Sequence, residues 1–263
     1  MAGDAAEISL EGVTLRYGSF TAIEAISLHA RAGEFVSIVG PTGCGKSSVL
    51  NLVAGLVGPS EGTVSTGGVR VTGVNSRCAY MFQADALMPW KSALDNVVLG
   101  PLLRGIARPE AVRSAREWLL RVGLRGFEDR YPHQLSGGQR KRVAMAQALI
   151  NRLPILLMDE PFSALDAQTR ALMEEELLNL WQEQRATVLF VTHDLEEAIA
   201  LSDRVVLFTA GPNAGLKGEY PVDLPRPRNV VEARFTPGFT DIYEMVWNDL
   251  RSEVMASYER QRA

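Results

Sequence analysis

A short apolar run, Phe35-Val36-Ser37-Ile38-Val39, ends at Gly40 and opens into Pro41-Thr42-Gly43-Cys44-Gly45-Lys46-Ser47. Few folds accommodate that combination. A buried strand has to feed a glycine-rich turn, and the turn has to open a helix, predicted over residues 46–56. Strands of this kind pair in parallel and need helical crossovers, so the chain is committed to an α/β sheet. The glycines let backbone N–H groups turn toward a phosphate, and the helix start adds a favourable dipole. Gly40, Pro41, Thr42, Gly43, Cys44, Gly45, Lys46, Ser47 and Ser48 are therefore the expected phosphate-binding residues, with Lys46 reaching the outer phosphates and the Ser47 hydroxyl reaching Mg²⁺. Cys44, inside the loop, suggests that binding would be sensitive to thiol alkylation.

The rest of the chain fits the same plan. Further strands are predicted at 155–158, 188–192 and 205–208, with a helix near 168–184 between the first two. Residues 8–15 alternate imperfectly around Gly12 and suggest edge strands. Residues 63–74 read as a hairpin and 78–82 as another strand. From about Ala84 to Arg152 the texture is helical; Pro109 can start a helix with Val112, Ala115, Leu119 and Val122 on one face and Gly123 at its end. The expected fold is an α/β P-loop (RecA-like) core with N-terminal antiparallel strands and an inserted α-helical subdomain. Its expected boundaries are 1–83 and 154–220 for the core, 84–153 for the helical part, and 221–263 for a proline-stiffened linker and C-terminal helix. Thr236 can cap that helix with Pro237 at its first position. Phe239, Ile242, Tyr243, Val246, Trp247, Leu250 and Val254 recur at helical spacing, a stripe expected to dock on the chain's own core.

Two more signals carry chemistry. Asp159 and Glu160 end the strand at 155–158, where a carboxylate can hold a metal through water. Leu135-Ser136-Gly137-Gly138-Gln139 is a second glycine-rich turn that opens a helix, and so a second place able to hold phosphate. One ATP cannot easily be gripped by both turns of the same chain.

With these motifs the chain resembles the ATP-binding subunit of an ABC transporter along nearly its whole length. The resemblance implies ATP hydrolysis with Glu160 as general base, Gln83 sensing Mg²⁺ or the attacking water, and His193 contacting the γ-phosphate. It places Ser47, Gln83 and Asp159 around Mg²⁺, Tyr17 against adenine, and Asp166 at a dimer interface. Ser136, Gly137, Gly138 and Gln139 would cover the phosphate loop of a second copy, so that a homodimer encloses two ATP molecules. Gln147 stands where many relatives have arginine, and Ser48 where threonine is commoner.

Bulk properties narrow the setting. A net charge of -4 gives no electrostatic reason to expect nucleic acid as a partner. No apolar run approaches a membrane span, and the start at Met1-Ala2-Gly3-Asp4 shows no leader pattern. Two cysteines form no disulfide framework, which suits a reducing compartment. Any membrane role is then borrowed from integral permease subunits, with this chain peripheral on the cytoplasmic face of the inner membrane and a substrate-binding protein engaged only indirectly. Leu87-Met88-Pro89-Trp90 and the Pro225-Arg226-Pro227-Arg228 tail are similar to the nitrate, sulfonate and taurine importers. An extrusion ATPase and a soluble ABC machine are the rival readings. The first would lack the Pro-Trp and Pro-Arg-Pro-Arg features, and the second would carry a coiled-coil insertion or two cassettes.

Overall fold

The computed structural model describes residues 5–262, and the leader reading at residues 1–4 lies outside them. Two sheets share the work. A six-stranded sheet has the order β10-β9-β3-β8-β7-β6, built from β3 (Phe35–Val39), β6 (Cys78–Met81), β7 (Ile155–Asp159), β8 (Thr187–Val191), β9 (Arg204–Phe208) and β10 (Leu216–Pro221). All its pairings are parallel except β9 with β10. Every residue of β3, β7 and β8 is buried, which is why these strands are continuous apolar runs in the sequence.

Alternate side chains on those strands enter two different cores. Val36, Ile38, Leu157, Leu189 and Phe208 face a four-stranded antiparallel sheet and helix α1 (Lys46–Val53). Phe35, Met158, Val188, Phe190 and Leu207 face the other way, toward helices α2 (Ala93–Leu103), α3 (Arg108–Arg121), α4 (Gly137–Leu149), α5 (Ala167–Gln184), α6 (Leu195–Leu201), α7 (Val230–Ala233) and α8 (Phe239–Arg262). Full burial of each large side chain contributes about 1.5–3 kcal/mol.

Several local expectations need correction. In the four-stranded sheet the order is β2 (Phe20–Ala30), β1 (Ile8–Tyr17), β4 (Glu61–Thr66), β5 (Val69–Arg70), so the opening segment is an inner strand and not an edge. Gly12 makes no turn; it sits at a register shift between Leu10 and Val13, where β4 crosses so closely that a Cβ on Gly62 would lie 2.4 Å from the Gly12 carbonyl oxygen. Helix α1 stops at Val53, ahead of Gly55, not at residue 56. The last helix begins at Phe239 behind Gly238, and the Thr236 hydroxyl donates to the Glu232 carbonyl instead of capping it. Of its apolar stripe, Phe239, Val246 and Leu250 are buried, while Trp247 and Val254 are each 44% exposed.

The proline-rich stretch is fastened, not free. Pro221 is the last residue of β10, and Val222 and Leu224 are buried. Arg226 lies 4.2 Å from the Trp181 ring centroid and donates from Nε to Asp203 at 2.8 Å. Arg228, also buried, donates to the carbonyls of Ile199, Ala200, Ser202, Val222 and Leu224.

Candidate active site

The phosphate loop leaves β3 at Val39 and enters α1 at Lys46. Gly45 caps that helix in the left-handed region, and a Cβ there would meet Ile23 Cγ1 at 2.8 Å, so only glycine closes the turn under β2. Lys46 is buried and donates from Nζ to the carbonyls of Gly40 at 2.8 Å and Pro41 at 2.9 Å. Thr42 and Gly43 are exposed, and Ser47 and Ser48 half-buried. The Cys44 side chain turns inward and is fully buried, and burial pushes its thiol pKa up, so the expected sensitivity to alkylation is not supported.

Asp159, at the end of β7, is 4% exposed. Burial raises its pKa, with the Ser47 hydrogen bond, Lys46 and Lys141 pulling down and Glu160 pushing up. A desolvated carboxylate beside the Ser47 hydroxyl forms an all-oxygen donor pair suited to a hard cation. Among the described residues no group of three or more His, Cys, Asp or Glu could cage a metal alone.

Glu160 follows with a positive φ of 45°, a strained conformation for a carboxylate residue, and its N–H donates to the Val191 carbonyl at 2.9 Å. That twist sends its side chain toward two other parts of the chain. Gln83 donates from Nε2 to Glu160 Oε2 at 3.2 Å, and His193 Nδ1 lies 3.5 Å from the same oxygen. The expected trio thus converges on one carboxylate atom, and the His193 side chain is 64% exposed, leaving the cluster open to solvent.

Support for His193 comes from residues the sequence did not flag. Thr192 donates to Glu197 Oε2 at 2.7 Å and accepts from the Asp194 N–H at 3.0 Å. Arg170, from α5, bridges Asp194 at 3.5 Å and Glu197 at 3.6 Å. Their only signal was the acidic start of the helix after His193.

The second glycine-rich turn is a capping box. Ser136 Oγ accepts from the Gln139 N–H at 3.2 Å, and the Gln139 side chain accepts from the Ser136 N–H at 2.8 Å. Gly138 is bordered by Leu165 and Ala164, not by the phosphate loop. Asp166 caps α5 by accepting from the Thr169 N–H at 3.0 Å, and that bond holds its pKa down. Tyr17 and Phe20 are register partners at the tip of the β1–β2 hairpin, 48% and 51% exposed, on the same hairpin whose Ile23 covers Gly45.

A strand–glycine loop–helix unit, a buried carboxylate bonded to the loop serine and a strained glutamate at the next position define a P-loop ATPase. More narrowly, the chain belongs to the ABC transporter family, whose model matches residues 23–163. It is 45% identical over 239 residues to the aliphatic sulfonates import ATP-binding protein SsuB of Yersinia pestis bv. Antiqua, covering 91% of this chain and 85% of that one. It is 46% identical over 214 residues to the taurine import ATP-binding protein TauB of Chromobacterium violaceum, covering 81% of this chain and 82% of that one. Among solved structures, the ATP-binding cassette MJ0796, a dimer in a post-hydrolysis state bound to ADP and Pi, superposes with a TM-score of 0.75 at 33% identity, over 83% of this chain and 100% of that one. These relatives put the chain in the importer branch that Leu87–Trp90 and Pro225–Arg228 predicted.

Proposed function

We propose that this chain is the ATP-hydrolysing subunit of an ABC importer, two copies of which close around two ATP molecules to power uptake of a small anionic or polar solute such as nitrate, a sulfonate or taurine. The observation that carries the reading is the meeting of Gln83, Glu160 and His193 at one carboxylate oxygen beside Asp159. Glu160 serves as general base for the attacking water, Gln83 orients that water, and His193 meets the γ-phosphate. Lys46 and the loop N–H groups of residues 40–48 bind the phosphates, and Tyr17 stacks on the base. Ser47 and Asp159, with Gln83 nearby, would hold Mg²⁺, whose contribution is to neutralise phosphate charge. Gly138 borders Leu165 and not its own phosphate loop, and the capping box occupies the N–H groups of Ser136 and Gln139 but not those of Gly137 and Gly138, so the glycines of the turn would serve a second copy, with Asp166 at the seam.

No helix among the described residues is long and apolar enough to cross a membrane. Coupling to transport therefore runs through permease subunits, which would hold the chain on the cytoplasmic face and link it indirectly to a binding protein. A groove of about 270 Å³ between β6, α2 and α4, lined by Phe82, Leu99, Leu103, Gln147 and Asn151, is the seat we assign to them. Its apolar rim includes Leu103, 79% exposed, and Trp90 nearby in sequence is 72% exposed, so neither seals the chain's own core.

The test is Glu160→Gln with ATP. The variant should elute as a stable dimer and turn over at least about a hundredfold more slowly, the usual scale for losing a general base. A variant that stays monomeric with ATP would refute the two-copy model; one with normal turnover would refute the role of Glu160.

A further inference from the structure

Helix α4 carries three consecutive basic residues, Arg140-Lys141-Arg142, one turn into the helix that Ser136 caps. The middle one is out of place for a surface helix, since Lys141 is 4% exposed. Withdrawing an ammonium group from water is costly unless its donors are satisfied and opposite charge lies close. Both conditions are met. Lys141 Nζ donates to the Phe82 carbonyl at 3.2 Å and to the Gln83 carbonyl. These are the first two residues after β6 leaves the sheet at Met81, where the chain has no ladder to hold it. The negative charges of Asp85, Asp159 and Glu160 oppose the effect of its burial.

A second tie runs alongside. Arg140 donates from Nε to Asp85 Oδ2 at 2.8 Å, two residues beyond Gln83, and from Nη1 to the Leu135 carbonyl at 2.8 Å, at the start of the capping turn. Gln83 is therefore gripped at its backbone by α4 while its side chain donates to Glu160. The connection from the Ser136–Gln139 turn to the Glu160 carboxylate passes through two side chains, Lys141 and Gln83.

We infer that Lys141 is a positioning residue for ATP hydrolysis: by clamping the Phe82 and Gln83 carbonyls to α4, it sets where the Gln83 amide meets Glu160, and so makes turnover depend on the placement of the second glycine-rich turn. The inference rests on the reading that Gln83 assists Glu160. It assigns Lys141 no contact with substrate, and its role is mechanical. An ammonium on a flexible stem can hold two adjacent carbonyls at once, which a shorter neutral amide cannot do as well.

The experiment compares Lys141→Met, Lys141→Arg, Gln83→Ala and the Lys141→Met/Gln83→Ala pair, with steady-state ATP turnover, equilibrium ATP binding and thermal melting on each. Lys141→Met should lower kcat on the order of tenfold with KM and ATP affinity within roughly threefold, the pattern of a group felt in the reacting complex and not in binding. Lys141→Arg, which keeps charge and donors, should recover most of the loss. The double variant should be no slower than Gln83→Ala alone, because Lys141 acts through Gln83.

If Gln83→Ala slows turnover and Lys141→Met does not, the inference fails while the reading of Gln83 survives. If Gln83→Ala turns over normally, that reading fails and the inference falls with it. Additive losses in the double variant, or a Lys141→Met defect confined to melting temperature, would also overturn it. Should Lys141→Met not fold, Lys141→Gln takes its place, retaining a shorter amide group without the charge; it should show the same kcat loss, and normal turnover in it would count against the inference in the same way.

Discussion

Glu160 and Glu174 are the same side chain in opposite circumstances. Glu160 is partly open to solvent and meets Gln83 and His193. Glu174, on α5, is 1% exposed, and neither of its carboxylate oxygens has a hydrogen-bond partner among the described residues. Burial, with the charge of Glu197 and Asp194 nearby, pushes its pKa from 4.5 up to about 7, against the pull of Arg234 and Arg170. The folded protein thus holds a proton that the unfolded chain releases near 4.5. This group's contribution to stability is therefore most favourable in acid and is lost as pH rises from about 4.5 to about 7. A shift of that size corresponds to about 3 kcal/mol at most. Glu174→Gln should flatten that part of the stability profile and gain ~1–3 kcal/mol at pH 8. Urea unfolding of both proteins at pH 5.5 and 8 would test it, and equal midpoint differences at the two pH values would sink it. The sequence hid this residue. Glu174-Glu175-Glu176 has the texture of a solvated run, and only three-dimensional packing shows that the first is buried, the second exposed and the third paired with Arg121 at 2.6 Å.

At the scale of elements, α6 is pinned at both ends. Asp194 caps its start by accepting from the N–H groups of Glu196 and Glu197 at 2.9 and 3.3 Å. Arg228 gathers the carbonyls at its end. Burial lowers the Arg228 pKa to about 10, so the guanidinium remains charged at neutral pH and complements the negative end of the helix dipole. Arg228→Ala should cost about 2–4 kcal/mol, since charge-assisted bonds are lost and buried carbonyls orphaned. Amide exchange along residues 195–201 should accelerate before the rest of the core, and unchanged protection there would show that α6 does not depend on Arg228. The tail motif was legible as a mark of kinship, but its purpose was not, because nothing in Pro-Arg-Pro-Arg names the carbonyls it will meet. Strand β10 went unread for a related reason. Leu216-Lys217-Gly218-Glu219-Tyr220-Pro221 is an edge strand, polar and glycine-broken, which lacks the continuous apolar signal of β3, β7 and β8.

For the whole molecule, the parallel core and the inserted helices were readable, because strands buried on both faces and helices with an apolar stripe leave strong patterns. What the sequence could not show is how one sheet serves two cores at once, and that Trp90 is left exposed outside both. Trp90→Ala should reduce co-purification of membrane subunits while leaving ATP affinity within roughly twofold, as expected for an exposed aromatic anchor at an interface. A fall in ATP affinity instead would place Trp90 in the nucleotide core. The helices α2 to α4 also leave and rejoin the sheet through neighbouring strands: the chain exits at Met81, the end of β6, and returns at Ile155, the start of the adjacent parallel strand β7, so the two junctions lie at opposite ends of one strand pair. A segment held at the two ends of one strand pair is joined to the sheet like a handle. It is a graft in the gardener's sense, and a segment from a relative, trimmed at the same two strands, could be spliced in without redrawing the sheet beneath it.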